Sequence, residues 1–382
     1  MKVAFYSNYL THHQLPFCLE MVKRLGENFT FIATEKIEEE RIQLGYEDLN
    51  HKYPFVLNVY ESDEKEQRAL ALAKESDVVI LGSASERYLI ERMKENKLSF
   101  RYTERPLKKG RRKLFNLHVL NTMMHLHTRY AFKKLYLLCA SAYTAKDCAL
   151  VGGYWNKAYK WGYFPEVCEY SEEEFLRLKE NNEKTRILWV GRLIPWKHPE
   201  YAIRAAKMLK DNGYEFSMDI IGTGELNQSL RELAKSLDVM DVVNFLGSMS
   251  PTKVRQYMEQ ADIYLFTSNC QEGWGAVLNE SMCSGCAVIA NRSIGAVPFL
   301  LTQKENGLLY KDGNLQDLYR KVVYCIEHPE ECKRMGRQAY KTMTELWNAR
   351  VAAERLIDIS KKLLDGEKYF YKEGPGSRAK WL

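Results

Sequence analysis

The sequence has no apolar run close to the roughly 18 residues that a membrane-spanning helix needs. Its first residues, MKVAFYS, have a strand pattern and lack a cleavage site, so we expect no signal peptide. The nine cysteines are odd in number and irregularly spaced, which is typical of a reduced cytoplasmic protein. These absences argue against an integral membrane protein and against a secreted domain held by disulfides.

The sequence also lacks three ligand signatures. Cys283 and Cys286 form a CxxC pair without a second pair, so zinc is not expected; the plainer interpretation is a helix end turned by Gly285, with a redox role as the alternative. The glycine turn at 221–224 lacks the third glycine and the acidic residue of a dinucleotide fingerprint. The net charge of +6 is modest and no nucleic-acid motif occurs, which disfavours a nucleic-acid partner.

The sequence does contain enough apolar material for two ordered domains. Of its 382 residues, 46% are hydrophobic, and 7 Trp, 24 Tyr and 15 Phe argue against disorder. Strand and helix patterns alternate along both halves, which predicts two parallel α/β sheets with a ligand between their carboxyl edges. The predicted domains are residues 1–165 and 166–345, followed over 346–382 by a C-terminal helix and a loose tail.

The predicted elements follow from apolar periodicity. In the first half, strands are predicted at 3–6, 29–33, 54–59, 78–82, 98–102 and 135–140, with helices at 15–25, 64–75 and 86–96. Residues 34–53, which include the charged run 38–41, are predicted to be a solvated excursion, and 163–183 an inter-domain linker. In the second half, strands are predicted at 186–190, 216–221, 242–246, 262–266 and 287–290, and helices at 199–211, 226–236, 252–259, 276–284, 314–327, 329–343 and 346–365.

The most informative stretch is 272–280, which follows a predicted strand and contains two carboxylates, Glu272 and Glu280. If the intervening chain were helical, the two would lie about 12 Å apart, which is too far to share one proton. They can instead hold two parts of one extended ligand. Gly273 and Gly275 allow the backbone to approach that ligand and expose amides at a helix start, where an anion is favoured.

Two cations, Arg192 and Lys197, occupy the loop after the first strand of the second half. At a carboxyl strand edge such a pair suits a phosphate or diphosphate; two solvated surface cations are the alternative. Gly222 and Gly224 end the next strand, where they allow either a backbone approach to a ligand or a plain turn. Backbone groups near the end of the strand 242–246 can bind a flat base.

These motifs together resemble the group 1 (family 4) retaining glycosyltransferases. The resemblance is carried by the loop 191–197, the turn 222–224, the strand end 245–247 and above all the stretch 272–289, and it is dense over about residues 185–345. It implies the GT-B fold, in which two Rossmann-like parallel-sheet α/β domains face each other across a cleft. The second domain would bind a nucleotide-sugar and the first would bind the acceptor.

The resemblance also implies roles for single residues. Arg192 and Lys197 would neutralise the departing diphosphate, while Glu272 would hold the sugar hydroxyls and Glu280 the ribose hydroxyls. The other predicted donor contacts are Gly222, Gly224, Asn244, Phe245, Leu246 and the amides of Gly273, Trp274, Gly275 and Ala276. Enzymes of this fold are usually drawn with same-face attack, in which the leaving phosphate takes the acceptor proton, so no cofactor is expected. No Asp-x-Asp triad indicates a divalent-metal site.

The first domain departs from the family pattern, because no glycine-rich loop follows its first strand. That loop contains His12 and His13, which can contact phosphate or acceptor and are included among the candidate catalytic residues; a surface loop is the alternative. Relatives often place a histidine after a later strand, where this chain offers Ser85 and Glu104 as candidate acceptor contacts. The last helix of the family usually crosses back to the first domain, and we expect the same here.

A basic stretch in the first domain has only Glu104 as an opposing charge in the sequence nearby. It comprises Arg101, Arg105, Lys108, Lys109, Arg111, Arg112 and Lys113, and it precedes the apolar segment 114–130. A cationic segment beside an amphipathic helix suits an anionic membrane surface or a lipid-diphosphate acceptor; a solvated loop with a core-facing helix is the alternative. Residues 1–165 contain 26 Lys and Arg against 19 Asp and Glu, so the excess positive charge lies in this half.

We therefore predict a retaining, metal-independent glycosyltransferase that uses a nucleoside-diphosphate sugar, expected to be UDP-linked. Its acceptor would be a glycan or a lipid-linked molecule in surface polysaccharide synthesis. The protein would be cytoplasmic, with peripheral contact to the inner face of the plasma membrane. Two alternatives stay open, a catalytically inactive nucleotide-sugar-binding protein and a nucleotide-sugar epimerase of the same fold.

Overall fold

The structure, a computed structural model, describes residues 1–39, 42, 47–179 and 184–381. Two parallel α/β sheets form the centres of two units, which comprise residues 1–166 with 348–382 and residues 167–347. These boundaries lie one and two residues from the predicted boundaries at 165 and 345. The predicted excursion 34–53 and linker 163–183 include residues 40, 41, 43–46 and 180–183, which lie outside the described residues.

The sheet of unit 1 has seven parallel strands in the order β3-β2-β1-β4-β5-β6-β7. The strands are β1 (Val3–Ser7), β2 (Phe29–Ala33), β3 (Val56–Asn58), β4 (Val78–Leu81), β5 (Ser99–Thr103), β6 (Leu135–Cys139) and β7 (Ala158–Lys160). The helices between them are α1 (Leu15–Leu25), α2 (Asp63–Glu75), α3 (Arg87–Lys94), α4 (Leu117–His127) and α5 (Thr144–Ala149). All five residues of β1 are buried, as expected of a central strand covered on both faces.

The sheet of unit 2 has six parallel strands in the order β10-β9-β8-β11-β12-β13. They are β8 (Thr185–Val190), β9 (Phe216–Ile221), β10 (Val243–Gly247), β11 (Ile263–Phe266), β12 (Ala287–Asn291) and β13 (Gly307–Tyr310). The helices are α6 (Glu172–Arg177), α7 (Pro199–Asp211), α8 (Asn227–Ser236), α9 (Pro251–Gln260), α10 (Val277–Cys283), α11 (Val297–Leu300), α12 (Leu315–Glu327) and α13 (Pro329–Lys341). A short π-helical segment, Thr342–Leu346, follows α13.

The elements that sequence patterns missed are short. Strands β7 and β13 have three and four residues, which are too few to establish a periodicity. Helices α5 and α11 have six and four residues. The predicted linker 163–183 contains helix α6, which starts at a capping box formed by Ser171 and Glu174. The predicted sheet of the first half therefore lacked its edge strand, and the sheet of the second half lacked β13.

The C-terminal segment belongs to unit 1. Helix α14 (Ala349–Leu364) packs on α1, where Arg24 Nη2 lies 2.6 Å from Glu354 Oε1. The prediction of a loose tail is wrong, because the tail lies along β7. The Lys160 amide donates to the Ser377 carbonyl at 2.7 Å, and the Ala379 amide donates to the Ala158 carbonyl at 3.0 Å. An edge strand has backbone groups that need partners, and the tail supplies them.

The strand order reverses at one point in each sheet. In unit 1 the reversal lies between β1 and β4, and in unit 2 between β8 and β11. Ligands of open parallel sheets bind beyond the carboxyl ends of the strands at such a point, because the connections there leave in opposite directions. The loops after β1, β4, β8 and β11 therefore lie where a ligand of such a sheet is expected. None of the helices in the described part of the chain has the length and hydropathy that crossing a bilayer requires.

Candidate functional site

Lys197 and Glu272 meet at the switch point of unit 2. Lys197 lies in the loop after β8 and Glu272 in the loop after β11, and these two strands pair directly. Lys197 Nζ lies 2.6 Å from Glu272 Oε2, with side chains that are 13% and 16% exposed. The Ser268 hydroxyl donates to the same carboxylate oxygen at 3.1 Å. Two residues that the sequence separates by 75 positions thus form one half-buried ion pair at the expected ligand edge.

Hydrogen bonds to buried residues hold the loop that contains Lys197 in place. Thr267, the first residue after β11, accepts a hydrogen bond from Trp189 Nε1 at 2.8 Å and donates to the Lys197 carbonyl at 2.7 Å. The Asn269 amide donates to the Trp196 carbonyl at 2.9 Å. These bonds join the loop after β8 to the loop after β11 and thereby fix the positions of the two residues of the ion pair. Sequence patterns had not indicated Thr267 or Asn269, whose importance depends on strand order.

His198 is a further residue that the sequence analysis missed. It has left-handed backbone angles, with φ 48° and ψ 50°, and it directly precedes α7. Its Nδ1 lies 2.7 Å from Glu200 Oε1, and its Nε2 lies 3.1 Å from Asn269 Nδ2. The hydrogen bond to Glu200 raises the pKa of His198 above its usual value, against the opposing effect of burial. The imidazole thus adds a third link between the two loops.

Arg192 is the other predicted cation of the loop, and its side chain is exposed. Its guanidinium carbon lies 6.0 Å from the centroid of the Trp196 ring. Arg192 therefore lies close to Lys197 in the sequence, and its side chain extends into solvent. A side chain that binds an anionic ligand must be accessible in this way.

The glycines of the 222–224 turn allow a close approach of two backbones. Gly222 has a φ of 137°, and a Cβ there would lie 1.9 Å from the Gly191 carbonyl oxygen. A Cβ on Gly224 would lie 2.4 Å from the Leu193 oxygen. The turn therefore packs on the Arg192 loop, which accounts for both glycines without a ligand. Their predicted contact with the donor stays a prediction.

The glycine-rich loop before α10 combines a strained turn with a buried anchor. Gly275 has a φ of 84°, and a Cβ there would lie 2.4 Å from Phe266 Cζ. The Trp274 side chain is fully buried and donates through Nε1 to Asn279 Oδ1 at 2.8 Å. Its ring also packs near Trp347, at 6.2 Å between centroids. The predicted role of Trp274 therefore rests on its backbone amide, like those of Gly273 and Ala276, while its side chain fixes the loop.

Glu280 is half-buried on α10, and burial raises its pKa to about 7. The positive charge of Arg255, on α9, opposes part of this increase. A carboxyl group that titrates near neutrality inside a candidate site is unusual for a structural residue. Arg255 had not been predicted as a site residue, since nothing in the sequence connects α9 with α10.

The end of β10, where the base of the nucleotide is predicted to bind, is surrounded by polar, charged and apolar side chains. Asn244 is exposed and donates to Asp219 Oδ1 at 3.0 Å. The guanidinium of Arg231 lies 4.8 Å from the centroid of the Phe245 ring and donates to the Phe245 carbonyl at 3.4 Å. Leu246 is half-buried. Arg231 was missed because it lies on α8, fourteen residues away in sequence.

At the switch point of unit 1, an aromatic residue connects two predicted groups. His12 and His13 have ring centroids 3.7 Å apart, and His13 stacks on Tyr163 at 6.0 Å. The Tyr163 hydroxyl donates to Glu104 Oε1 at 2.6 Å. Glu104 and His13 thus belong to one cluster within unit 1. Ser85 is exposed after β4 and its hydroxyl accepts from the Arg87 amide at 3.4 Å.

The prediction that Glu104 alone opposes the basic stretch is wrong. Arg101 is buried and pairs with Glu86, at 2.8 Å between Nη2 and Oε2. Asp147, which is fully buried, lies 2.8 Å from Arg105 Nε and 3.4 Å from Arg111 Nε. Lys108 pairs with Glu104 at 3.3 Å. Tertiary contacts therefore neutralise part of the stretch and leave Lys109, Arg112 and Lys113 exposed without an ion pair among the described residues.

Residues 171–342 match the model of the family described as glycosyl transferases group 1. This segment forms most of unit 2, and its match agrees with the resemblance that the sequence motifs had indicated. An uncharacterised glycosyltransferase of Haemophilus influenzae is 32% identical over 182 residues, covering 48% of this chain and 49% of that protein. The amylovoran biosynthesis glycosyltransferase AmsK of Erwinia amylovora is 27% identical over 187 residues, covering 48% and 46%. The chain thus spans about half the length of these curated relatives.

Two solved structures are similar over almost the whole chain. Anabaena HepE, solved with UDP, has a TM-score of 0.68 at 17% identity and covers 96% of this chain and 99% of its own. The lipopolysaccharide outer core galactosyltransferase WaaB has a TM-score of 0.66 at 16% identity, covering 94% and 99%. At such identities the likeness concerns the fold alone. It confirms the predicted class, two parallel-sheet α/β domains of the GT-B type.

Proposed function

We propose that the protein is a retaining glycosyltransferase that moves a sugar from a nucleoside-diphosphate sugar to a glycan or lipid-linked acceptor. The observation that carries this proposal is the Lys197–Glu272 pair at the switch point of unit 2, beside the exposed Arg192. A cation and a carboxylate on one strand edge suit a ligand in which an anionic diphosphate adjoins neutral sugar hydroxyls. The match of residues 171–342 to the model of group 1 glycosyl transferases supports a glycosyl transfer reaction.

In the proposed reaction, the bond between the anomeric carbon and the diphosphate oxygen breaks, and the acceptor oxygen bonds to that carbon on the same face. The acceptor proton passes to the departing phosphate oxygen, so no protein base takes part. Lys197 and Arg192 stabilise the charge on the diphosphate as it leaves, and Glu272 accepts hydrogen bonds from sugar hydroxyls. The bonds of Thr267 hold the loop that positions Lys197, and positioning is the main demand of this chemistry.

We assign the nucleotide to the neighbouring elements of unit 2. Glu280 accepts the ribose hydroxyls, and the base lies against the end of β10, near Phe245. A UDP-linked donor is proposed because the similar Anabaena HepE was solved with UDP and with UDP-glucose. A role in surface polysaccharide synthesis is proposed because the similar AmsK is an amylovoran biosynthesis glycosyltransferase. A location at the inner face of the plasma membrane is proposed from the exposed cations Lys109, Arg112 and Lys113. The proposed reaction uses neither a metal nor a cofactor.

Thermal unfolding with a panel of nucleotides tests the donor class. A ligand that binds the folded state stabilises it by mass action. We expect UDP and UDP-sugars to raise Tm, while GDP, ADP and their sugars leave it unchanged. A shift with GDP-sugars or ADP-sugars alone would replace the proposed nucleotide, and no shift with any of them would refute donor binding.

Substitution of Glu272 tests the reaction. Glu272→Ala and the isosteric Glu272→Gln should both lose nearly all donor turnover, because neither can hold the sugar as a carboxylate does. Glu215→Ala, which removes an exposed carboxylate of the same unit, should keep it. Turnover of the unmodified protein should continue in EDTA. Full activity in Glu272→Gln contradicts the assignment, and formation of an isomeric nucleotide-sugar without acceptor would favour an epimerase.

A further inference from the structure

Helix α4 and the turn before it present apolar side chains to solvent in unit 1. Phe115, the last residue of the 3-10 turn Arg111–Phe115, is 90% exposed, and Leu117, the first residue of α4, is 74% exposed. Met124, 45% exposed, lies two helical turns beyond Leu117 and therefore on the same side of α4. A different side of the helix packs inward, where Met123 joins a small cluster with Leu107 and Val151. The outer apolar side is thus not the face that α4 needs for folding.

The charged residues in the chain segment around this apolar side are all cations. Residues 105–134 include nine Lys and Arg and no Asp or Glu. Asp147 binds two of these cations, Arg105 and Arg111, and thereby fixes the turn against unit 1. Lys109, Arg112 and Lys113 stay exposed beside Phe115. A partner of this surface must therefore offer two things: an apolar phase for the exposed apolar side chains and negative charge for the exposed cations.

We propose that this surface, defined by Lys109, Arg112, Lys113, Phe115, Leu117 and Met124, docks on the anionic headgroups of a phospholipid bilayer. The cations would lie at the headgroup level, and Phe115 and Leu117 would insert below it, as interfacial amphipathic segments do. A nucleic acid would satisfy the cations but leave both apolar side chains in water. An acidic protein partner would need a matching apolar pocket, whereas a bilayer supplies both phases everywhere.

The proposal concerns unit 1 and is independent of the proposed donor chemistry, whose residues lie in unit 2. Binding to vesicles and binding to UDP can therefore be measured on the same sample, and either can fail without the other. Docking would also bring the protein to lipid-linked acceptors, but binding to vesicles does not require sugar transfer.

Flotation of the full chain with vesicles tests the proposal. Vesicles of 40% phosphatidylglycerol and 60% phosphatidylcholine should bind the protein at 50 mM NaCl, whereas pure phosphatidylcholine vesicles should bind it at least tenfold more weakly. Binding should fall steeply at 500 mM NaCl, because the screening length shrinks below the charge separation. No binding to the anionic vesicles at 50 mM NaCl, or equal binding to both kinds, would overturn the proposal.

Two sets of variants separate the charged from the apolar contribution. The triple variant Lys109→Gln, Arg112→Gln, Lys113→Gln should weaken binding to anionic vesicles about a hundredfold, since each cation near such a surface contributes roughly a factor of five. The double variant Phe115→Ser, Leu117→Ser should weaken it about tenfold or more. A matched triple of exposed lysines in unit 2, Lys235→Gln, Lys253→Gln, Lys341→Gln, should change it less than twofold.

The same variants distinguish a bilayer from two other possible partners of this surface, a second copy of the chain and a nucleic acid. All substituted side chains are exposed, so Tm and the UDP-induced shift should match those of the unmodified protein. If Phe115→Ser, Leu117→Ser converts a dimer into a monomer in sedimentation velocity and leaves vesicle binding unchanged, the surface joins two copies of the chain instead. If a DNA duplex at 50 mM NaCl binds more tightly than the vesicles and is insensitive to Phe115→Ser, the occupant is a nucleic acid. Either result refutes the bilayer.

Discussion

Replacing Glu280 by glutamine should make the protein more stable above neutral pH. Burial raises the pKa of Glu280 from the usual 4.5 of a glutamate to about 7, so the folded state holds a proton that the unfolded state releases at lower pH. Between these two values the folded state binds more protons, and the free energy of unfolding therefore falls as pH rises. A shift of about 2.5 pK units corresponds to about 3 kcal/mol, fully lost above pH 7. Glutamine has no charge to bury and avoids this loss.

Thermal unfolding of the protein and of Glu280→Gln at pH 5, 6, 7 and 8 measures the effect. The two should have nearly equal Tm near pH 5, and the variant should gain steadily up to pH 8. For a unit of about 180 residues, about 3 kcal/mol corresponds to roughly 6–12 °C. The matched control Glu215→Gln, at an exposed carboxylate of unit 2, should show no pH-dependent gain.

A constant difference between Glu280→Gln and the unmodified protein from pH 5 to pH 8 would refute this reasoning, because a linkage effect must change across the titration. The same variant tests the proposed nucleotide contact. If Glu280 accepts ribose hydroxyls, its loss should weaken UDP binding by roughly 10–100-fold, which isothermal titration calorimetry would detect. A variant that is more stable yet binds less tightly is the expected signature of a carboxylate held in place for a ligand.

Two further substitutions and one truncation test the supports of the fold. Gly222→Ala would place a Cβ 1.9 Å from the Gly191 carbonyl oxygen, so we expect its free energy of unfolding in urea to fall by roughly 3 kcal/mol. The control Gly313→Ala, with a φ of 71° and no atom within 4 Å of its Cβ, should lose about 1 kcal/mol or less. Arg92→Met should cost about 4 kcal/mol, because the buried guanidinium donates to four carbonyls and one hydroxyl; a loss below 1 kcal/mol would contradict this role. Truncation after Gly366 should cost about 3 kcal/mol through the bonds lost beside β7, and unchanged unfolding would show the tail to be dispensable.

Local patterns in the sequence were sufficient for most of the regular elements. The strand Phe216–Ile221 and the helix Pro199–Asp211 have the predicted bounds, because apolar runs, prolines and glycines act on the nearest few residues. The same applies to Leu15–Leu25, which begins next to Pro16 and ends at Gly26. Short elements escaped this reasoning, since β7 and β13 are too brief for a pattern to form.

The candidate site was predictable as a set of residue types but not as a contact. The sequence indicated Lys197 and Glu272 as separate candidates, and strand order was needed to bring them to 2.6 Å. The supports of the site, Thr267 and His198, could not be recognised because their partners lie on other strands and loops. The raised pKa of Glu280 depends on burial, which no local pattern reveals.

The sequence by itself determined the α/β class, the match of the segment 171–342 to the group 1 family and the residue types of the candidate site, because these depend on short motifs and on periodicity. Tertiary structure alone decided which charges remain available. It placed Glu86 against Arg101 and Asp147 against Arg105 and Arg111, so a stretch that had seemed uniformly basic keeps only some of its charge exposed. It also seated the C-terminal tail along β7. Ion pairs and edge-strand partners join residues far apart in the chain, and only the folded backbone determines which of them meet.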